Sequence, residues 1–168
     1  MNHAALIFNR VRDEIELDEI SRIAGIVAFL LQLKCQTITI YDRKGSMRAH
    51  AKLIQALLRL QLATMGKSES FNDQLNEGVL VLNLDKLETR VVFESEEIIP
   101  ASSLLNASQP QVALVFNSIR RVLKLQGFPS LLREKAEFIE VGELRHFTVT
   151  KFIRAVQRYG NINQRMGL

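Results

Sequence analysis

The sequence predicts an α/β domain with a mostly parallel central sheet flanked by helices. Strand-like apolar segments alternate with amphipathic helical segments, and one helix separates the first two strands. The segment Gln111–Phe116 is apolar after its first residue, which is typical of a strand buried on both faces of a parallel sheet. The chain of 168 residues has the size of one domain, and its net charge of +4 identifies no partner by itself.

The first strand and the first helix are predicted from apolar patterning. Ala4–Phe8 forms a short apolar strand, and Asp18 is expected to cap a helix that runs to about Leu33. Between Ile23 and Leu31 this helix is apolar nearly all round, so it must be covered on more than one side. The cover on the second side is either the rest of the chain, a partner subunit or an apolar ligand.

The centre of the chain, Thr37–Leu62, is predicted to be a strand that turns into an amphipathic helix. Thr37–Tyr41 is β-branched and aromatic, as a buried strand prefers. In the polar turn Asp42–Ser46, Gly45 can adopt positive φ and Ser46 can cap the helix. Ligands of open α/β sheets bind beyond the carboxyl ends of the strands, so this turn is a candidate site, with an ordinary strand-to-helix turn as the alternative.

The second half of the chain is expected to add a loop and further strands. The polar segment Met65–Gly78 is predicted to be a loop because it ends in glycine and lacks apolar periodicity. The remaining strands are predicted at Val79–Leu84, Arg90–Phe93 and Phe138–Val141, with a turn at Asp85-Lys86.

The C-terminal part is predicted as one helix and a tail. Thr148 can cap the helix and Gly160 is expected to end it. The organisation that follows is one domain over residues 1–160 and a non-periodic tail, Asn161–Leu168.

Residues with catalytic chemistry are sparse. The sequence contains neither a G-x-S-x-G elbow nor a glycine-rich phosphate loop. The histidines have no metal-ligand spacing and are interpreted as surface or packing residues; they are His3, His50 and His146. The single cysteine, Cys35, is expected to be a buried, inert thiol.

Two charged clusters are interpreted as solvated surface. The acidic run Glu94–Glu97 is predicted to be a solvated loop. A basic face formed by Arg120, Arg121 and Lys124 could hold a phosphate, but a solvated face is the simpler interpretation. On these grounds the chain is not predicted to be a self-sufficient enzyme.

No membrane-spanning segment is predicted. The longest apolar run, Ile23–Leu31, is about half of the ~20 residues that a transmembrane helix needs. The expectation is therefore either a soluble protein or one whose anchor lies outside this sequence.

The opening of the chain resembles a known family. His3–Asn9, a helix and then Ile38–Gly45 are similar to the start of the cis-prenyltransferases. The closer similarity is to their non-catalytic subunits, the Nogo-B receptor group, which have a Tyr-Asp-x-x-Gly segment where this chain has Tyr41–Gly45.

Later segments resemble the same group in the same order. Gln109–Phe116 is similar to a strand that reads Pro-Asp-Leu-(apolar)-Phe-Gly-Pro in the group. Gly127–Pro129 with Leu132-Arg133 is similar to its Gly-(apolar)-Pro and Ile-Arg stretch. Arg165-Met166-Gly167 matches the family's C-terminal Arg-x-Gly motif.

The chain departs from the catalytic members at their substrate-binding motifs. Asn9-Arg10-Val11 stands where they have Asp-Gly-Asn-(Gly/Arg)-Arg, whose Asp holds Mg²⁺ and diphosphate. Asp42–Gly45 stands in place of their Phe-Ser-x-Glu-Asn, and Asn117–Arg121 in place of their Arg-x-Ser-Gly-Glu. It also departs from its own group, because Asn117-Ser118 replaces Gly-Pro.

The resemblance implies a cis-prenyltransferase-like fold and a non-catalytic subunit of a heteromeric dehydrodolichyl diphosphate synthase, which serves dolichol synthesis and protein glycosylation. The catalytic partner, in a heterodimer or a dimer of heterodimers, would bind Mg²⁺ and farnesyl diphosphate and add isopentenyl diphosphate. This chain would have no catalytic residues or metal site of its own; Arg165 and Gly167 would bind isopentenyl diphosphate in the partner's site.

The implied location is the cytoplasmic face of the endoplasmic reticulum membrane, reached through the partner or through an anchor outside this chain, with no nucleic acid bound. One alternative is an adaptor or receptor-type domain that takes no part in catalysis. Another is a phosphate-handling enzyme that uses Asp42–Ser46 and the basic residues near Arg120.

Overall fold

The computed structural model describes residues 1–9, 14–67, 69–96, 109–117, 128 and 136–165, of which 162–165 are described by their backbone alone. The strands are β1 (His3–Phe8), β2 (Thr37–Asp42), β3 (Phe71–Asn76), β4 (Val79–Leu84), β5 (Leu87–Glu94), β6 (Val112–Phe116) and β7 (Glu137–Gly142). The helices are α1 (Leu17–Gln32), α2 (Ser46–Ala49), α3 (Ala51–Thr64) and α4 (Val149–Arg165), and Leu144–His146 form a 3₁₀ turn.

Within the described ranges the strands form one seven-stranded sheet in the order β3-β4-β5-β2-β1-β6-β7. The pairs β5-β2, β2-β1, β1-β6 and β6-β7 are parallel, whereas β3-β4 and β4-β5 are antiparallel. The predicted α/β class with a mostly parallel sheet is confirmed.

The central strands are buried on both faces, as the apolar run of β6 predicts. Alternate residues point to opposite faces because the side-chain period of a strand is two. Ala4, Leu6 and Phe8 join the larger core beneath the helices. Ala5 and Ile7 pack on the opposite face; the other buried members of that smaller cluster are Tyr41, Ala113, Val115 and Phe128.

Helix α1 begins at Leu17, so the predicted cap at Asp18 is wrong. Glu16 occupies the cap position, and its backbone N–H donates to Oε2 of Glu19 at 3.1 Å. Asp18 instead lies in the first turn, where a negative charge favours the helix dipole, and its Oδ2 accepts from Nε of Arg22 at 3.0 Å.

The apolar segment of α1 is covered mainly by this chain itself. Seven of its nine residues are buried; they are Ile23, Ala24, Ile26, Val27, Ala28, Leu30 and Leu31. The exceptions, Gly25 and Phe29, are half-buried. Of the three covers that the sequence allows, packing within the chain therefore accounts for most of this helix.

The predicted single helix after β2 is interrupted at His50, which separates α2 from α3. The imidazole Nδ1 of His50 lies 2.8 Å from the carbonyl oxygen of Ser46, the atom that serves the helical backbone hydrogen bond at this position. The side chain of His50 therefore competes with the backbone for the Ser46 carbonyl at the point where α2 ends.

The segment Met65–Gly78 is not simply a loop, because β3 lies within it. Phe71, Asp73 and Leu75 alternate with exposed residues, which is a half-buried strand pattern. None of the residues of β3 is β-branched, so sequence propensity does not predict this strand, which pairing with β4 stabilises.

The last helix is longer than predicted. Thr148 caps it as expected, since the backbone N–H of Lys151 donates to Thr148 Oγ1 at 3.3 Å. Gly160 does not end the helix, which continues to Arg165. A glycine costs a helix only about 1 kcal/mol relative to alanine. Core contacts of Phe152 and Tyr159 hold the preceding turns in place.

Candidate functional site at the carboxyl edge of the sheet

The carboxyl ends of four adjacent parallel strands form the candidate site. In the order β5, β2, β1 and β6, these ends place Glu94, Asp42, Asn9 and Asn117 along one edge. The register sets Tyr41 beside Glu94, and Phe8 beside both Asp42 and Phe116. β1 pairs with β2 on one side and with β6 on the other. From β1 the chain therefore builds the sheet first in one direction and later in the other, and this edge includes the point at which the strand order reverses.

Asp42 uses its carboxylate to hold the turn after β2. The side chain is 2% exposed. Oδ1 accepts from the backbone N–H of Lys44 at 2.9 Å, and Oδ2 accepts from the backbone N–H of Met47 at 3.0 Å. These bonds satisfy donors at the start of α2, a role that the sequence analysis assigned to Ser46, so that assignment is wrong. Both oxygens of Asp42 are therefore engaged by the protein's own backbone.

The backbone of the turn is also set by Gly45. Its φ is +73°, as predicted, a region that disfavours residues with a Cβ. Its N–H donates to the carbonyl oxygen of Asp42 at 3.1 Å, which closes the turn. The candidate site in Asp42–Ser46 is thus a tightly bonded strand-to-helix turn.

An exposed ion pair joins this turn to the end of β5. Nε of Arg43 lies 2.6 Å from Oε2 of Glu96, and both side chains are about half exposed to solvent. The backbone N–H of Glu96 also donates to the Arg43 carbonyl at 3.3 Å. These contacts connect the ends of two neighbouring strands, while the charge pair itself stays in water.

Asn9 and Asn117 follow β1 and β6. Asn9 is 3% exposed, and its backbone N–H donates to the carbonyl of Phe116 at 3.1 Å. Asn117 adopts a φ of +57°, and its Oδ1 accepts from the backbone N–H of Leu144 at 3.1 Å. The amide of Asn117 thereby positions the 3₁₀ turn that leads to α4.

The position and burial of Glu94 at this edge were not predicted from the sequence. This residue was predicted to lie in a solvated acidic loop, but it is the last residue of β5 and is half-buried. Burial raises the pKa of its carboxyl group above the usual value. Its Oε2 is enclosed and has no hydrogen-bond partner among the described residues. Of the rest of that acidic run, Ser95 is buried, Glu96 is exposed and Glu97 lies outside the described residues.

The histidines and the cysteine have structural environments. Nε2 of His3 lies 2.8 Å from Oγ1 of Thr39, and both residues are buried on the face of the sheet opposite the helices that the structure describes. His146 is exposed. Cys35 is a buried, free thiol as predicted, and burial raises its pKa. Within the described ranges, no group of three or more His, Cys, Asp or Glu residues is arranged to hold a metal ion.

The tail residues are only partly described. Arg165 is the last residue of α4, so part of the predicted tail is helical. Gly167 lies outside the described residues, as do the basic residues Arg120, Arg121 and Lys124. The motif segments Gly127, Pro129 and Leu132-Arg133 also lie outside them, whereas Phe128 packs edge-on against Tyr41 with ring centroids 5.3 Å apart.

Comparison with known proteins assigns no family. Neither a scan against protein-family models nor a search of curated proteins finds a match to this chain. Of the helices in the described part of the chain, none combines the length and the apolar character needed to cross a bilayer.

Proposed function

We propose that this chain is the non-catalytic subunit of a heteromeric cis-prenyltransferase of the dehydrodolichyl diphosphate synthase type, with a fold of the cis-prenyltransferase class. The catalytic partner would bind farnesyl diphosphate and Mg²⁺ and would condense isopentenyl diphosphate onto it. This chain would supply an interface and the Arg165-Met166-Gly167 segment.

The observation that supports this proposal best is the state of the ends of β1 and β2. A catalytic member would present carboxylate oxygens to a hard cation at the end of the first strand. Here that position is Asn9, a buried neutral amide, and the adjacent Asp42 has both oxygens bonded to backbone N–H groups. These residues do not fit a Mg²⁺ site, which agrees with a subunit that leaves the metal and the allylic diphosphate to its partner.

The end of α4 supports the part assigned to the tail. Arg165 ends that helix, so α4 sets its backbone position before any substrate binds. A charge-assisted hydrogen bond from its guanidinium to a diphosphate oxygen would contribute roughly 1.5–3 kcal/mol. The backbone N–H of Gly167 and groups of the partner would complete the contacts with isopentenyl diphosphate.

The test is incorporation of isopentenyl diphosphate into polyprenyl product by this chain alone, by a catalytic cis-prenyltransferase subunit alone, and by the co-purified pair. The proposal predicts substantial turnover only for the pair. Unchanged turnover of the catalytic subunit on addition of this chain would favour an adaptor domain. Turnover by this chain alone would favour a self-sufficient enzyme.

Location follows from the same proposal. A subunit of this enzyme would work at the cytoplasmic face of the endoplasmic reticulum membrane, held there by its partner or by an anchor outside this sequence. Fractionation of cells that express the tagged chain with and without the catalytic subunit measures which of the two holds it there.

A further inference from the structure

A cavity of about 350 Å³ lies on the helical layer, away from the candidate site at the sheet edge. It is bounded by α1, by the C-terminal end of α3 and by the start of α4. Most of its lining is apolar, including Gly25, Phe29, Met65 and Phe152, and Arg22 lies among the polar lining residues. The volume is within the range of small-molecule sites, which is roughly 300–1,000 Å³.

Gly25 lines an open part of this cavity, and neither the helix nor its packing requires a glycine at this position. It lies in the interior of α1, where alanine would be the more favourable residue. Apart from the backbone of its own helix, the described residues place no atom within 4 Å of a Cβ built at Gly25, so their packing does not exclude a side chain there. The absence of a side chain leaves open space in the cavity on this side of the helix, next to the half-buried ring of Phe29.

Two aromatic rings form one wall of the cavity. Phe29 of α1 and Phe152 of α4 are stacked with their centroids 5.6 Å apart. Met65, just after α3, lines the cavity from another side and offers a flexible, polarisable side chain that adapts to an apolar chain. A cavity lined by two aromatic rings and a thioether is chemically suited to an alkyl chain.

The charged residue in the cavity lining favours an anionic head group on such a ligand. Arg22 is the ionised residue among the lining residues, and no carboxylate is among them within the described part of the chain. Its Nε–H donates to Asp18 at 3.0 Å, and Nη1 donates to the carbonyl of Phe147 at 2.7 Å. A guanidinium has five N–H donors, so three remain for an anion. Its side chain is 34% exposed, so an anionic head could reach it from solvent.

We propose that this cavity binds a single-chain anionic amphiphile, with the alkyl chain lying over Gly25 and the carboxylate or phosphate head on Arg22. The inference is independent of the prenyltransferase proposal, because it concerns a different face of the molecule and no partner subunit. Its test therefore uses this chain alone, and its failure would leave the proposed function untouched.

The probes are dodecanoate, dodecyl phosphate and dodecyltrimethylammonium, each kept below its micelle-forming concentration. Their alkyl chains match, so the comparison isolates the head group, and the two anions distinguish a carboxylate from a phosphate ligand. Calorimetric titration into the full chain is expected to show at least about tenfold tighter binding of one or both anions than of the cation, which is about 1.4 kcal/mol.

Two substitutions test the two parts of the site. Gly25→Leu fills the open space at Gly25. Gly160→Leu is its matched control, because Gly160 is also helical, has no described atom outside its own helix backbone within 4 Å of a built Cβ, and does not line the cavity. Arg22→Gln removes the head-group charge, and Arg90→Gln on β5 removes one charge elsewhere. We expect Gly25→Leu and Arg22→Gln to weaken anion binding at least about tenfold, and both controls to bind as the unaltered chain does.

Direct contacts make the test independent of any variant that fails to fold. Intermolecular nuclear Overhauser effects should connect the alkyl methylenes with the ring protons of Phe29 and Phe152 in the unaltered chain. Equal affinity for all three head groups, binding that Gly25→Leu leaves unchanged, or absence of these effects at saturation would each overturn the proposal.

Discussion

Replacing Asp42 with alanine should destabilise the chain, because this carboxylate holds the turn after β2. The side chain is 2% exposed, and its two oxygens accept the backbone N–H groups of Lys44 and Met47 at 2.9 and 3.0 Å. In the alanine variant both donors lose their acceptor at the start of α2. Met47 is itself 2% exposed, so water reaches its N–H poorly.

The size of the loss follows from these two bonds. Hydrogen bonds to a charged group contribute roughly 1.5–3 kcal/mol each. Water can replace part of the bond at Lys44, whose side chain lies in the exposed part of the turn. We therefore expect Asp42→Ala to lower the free energy of unfolding by about 3 kcal/mol. For a domain of this size that corresponds to a fall of roughly 6–12 °C in Tm.

Thermal and urea unfolding followed by circular dichroism measure this change. Glu96→Gln is the control, because Glu96 belongs to the same turn region but pairs with Arg43 in an exposed ion pair, which contributes little. Asp42→Asn should fall between the two, since an amide retains one acceptor but places an N–H donor against a backbone donor. An Asp42→Ala variant as stable as Glu96→Gln would refute the structural role of the carboxylate.

The other predictions concern Glu94, two glycines and Cys35. Burial raises the pKa of Glu94 in the folded chain above the usual 4.5, so the folded chain loses stability as pH rises from 4.5 through that pKa. Glu94→Gln removes this loss and should therefore raise Tm at neutral pH but not below about pH 4. Thermal unfolding at a series of pH values measures the difference. Gly25→Ala should raise Tm by roughly 2–4 °C, because alanine is the better helix former. Gly78→Ala should lower Tm, because Gly78 has a φ of +84° and a Cβ there would lie 2.8 Å from Cζ of Arg48. Cys35 should react with a thiol reagent only after denaturation, and fast reaction of the native chain would contradict its burial.

The class of fold was predictable because the strongest sequence signals come from buried strands. The apolar residues of β1 and β6 have no polar face, and only a sheet covered on both sides accommodates them. In β3, by contrast, Phe71 and Leu75 are the only apolar residues, and the strand depends on pairing with β4, which no local pattern reveals.

The candidate site was predictable in position but not in chemistry. The turn after β2 was located from its glycine and its polar residues, and Gly45 has the predicted positive φ. That Asp42 rather than Ser46 satisfies the helix start depends on side-chain direction, which spacing does not specify. The partial burial of Glu94 depends on neighbouring strands, so an acidic run in the sequence gave no indication of it.

The end of the last helix shows why single residues are weak boundary signals. Gly160 is a common helix terminator, yet its cost of about 1 kcal/mol is small beside the packing of the turns before it. Phe152 and Ala155 are each 4% exposed, and that anchoring lets α4 continue to Arg165.

The most direct test of the proposed subunit role is the steady-state turnover of the complex with Arg165→Ala. Arg158→Ala is the matched control, because it removes an exposed arginine from the same helix. If the subunit proposal holds, Arg165→Ala lowers the turnover of isopentenyl diphosphate by the complex at least about tenfold, which is about 1.4 kcal/mol of transition-state stabilisation. Arg158→Ala should leave turnover within about twofold, and both complexes should co-purify intact. Full turnover in an intact Arg165→Ala complex would contradict the proposed role of Arg165 in the partner's site.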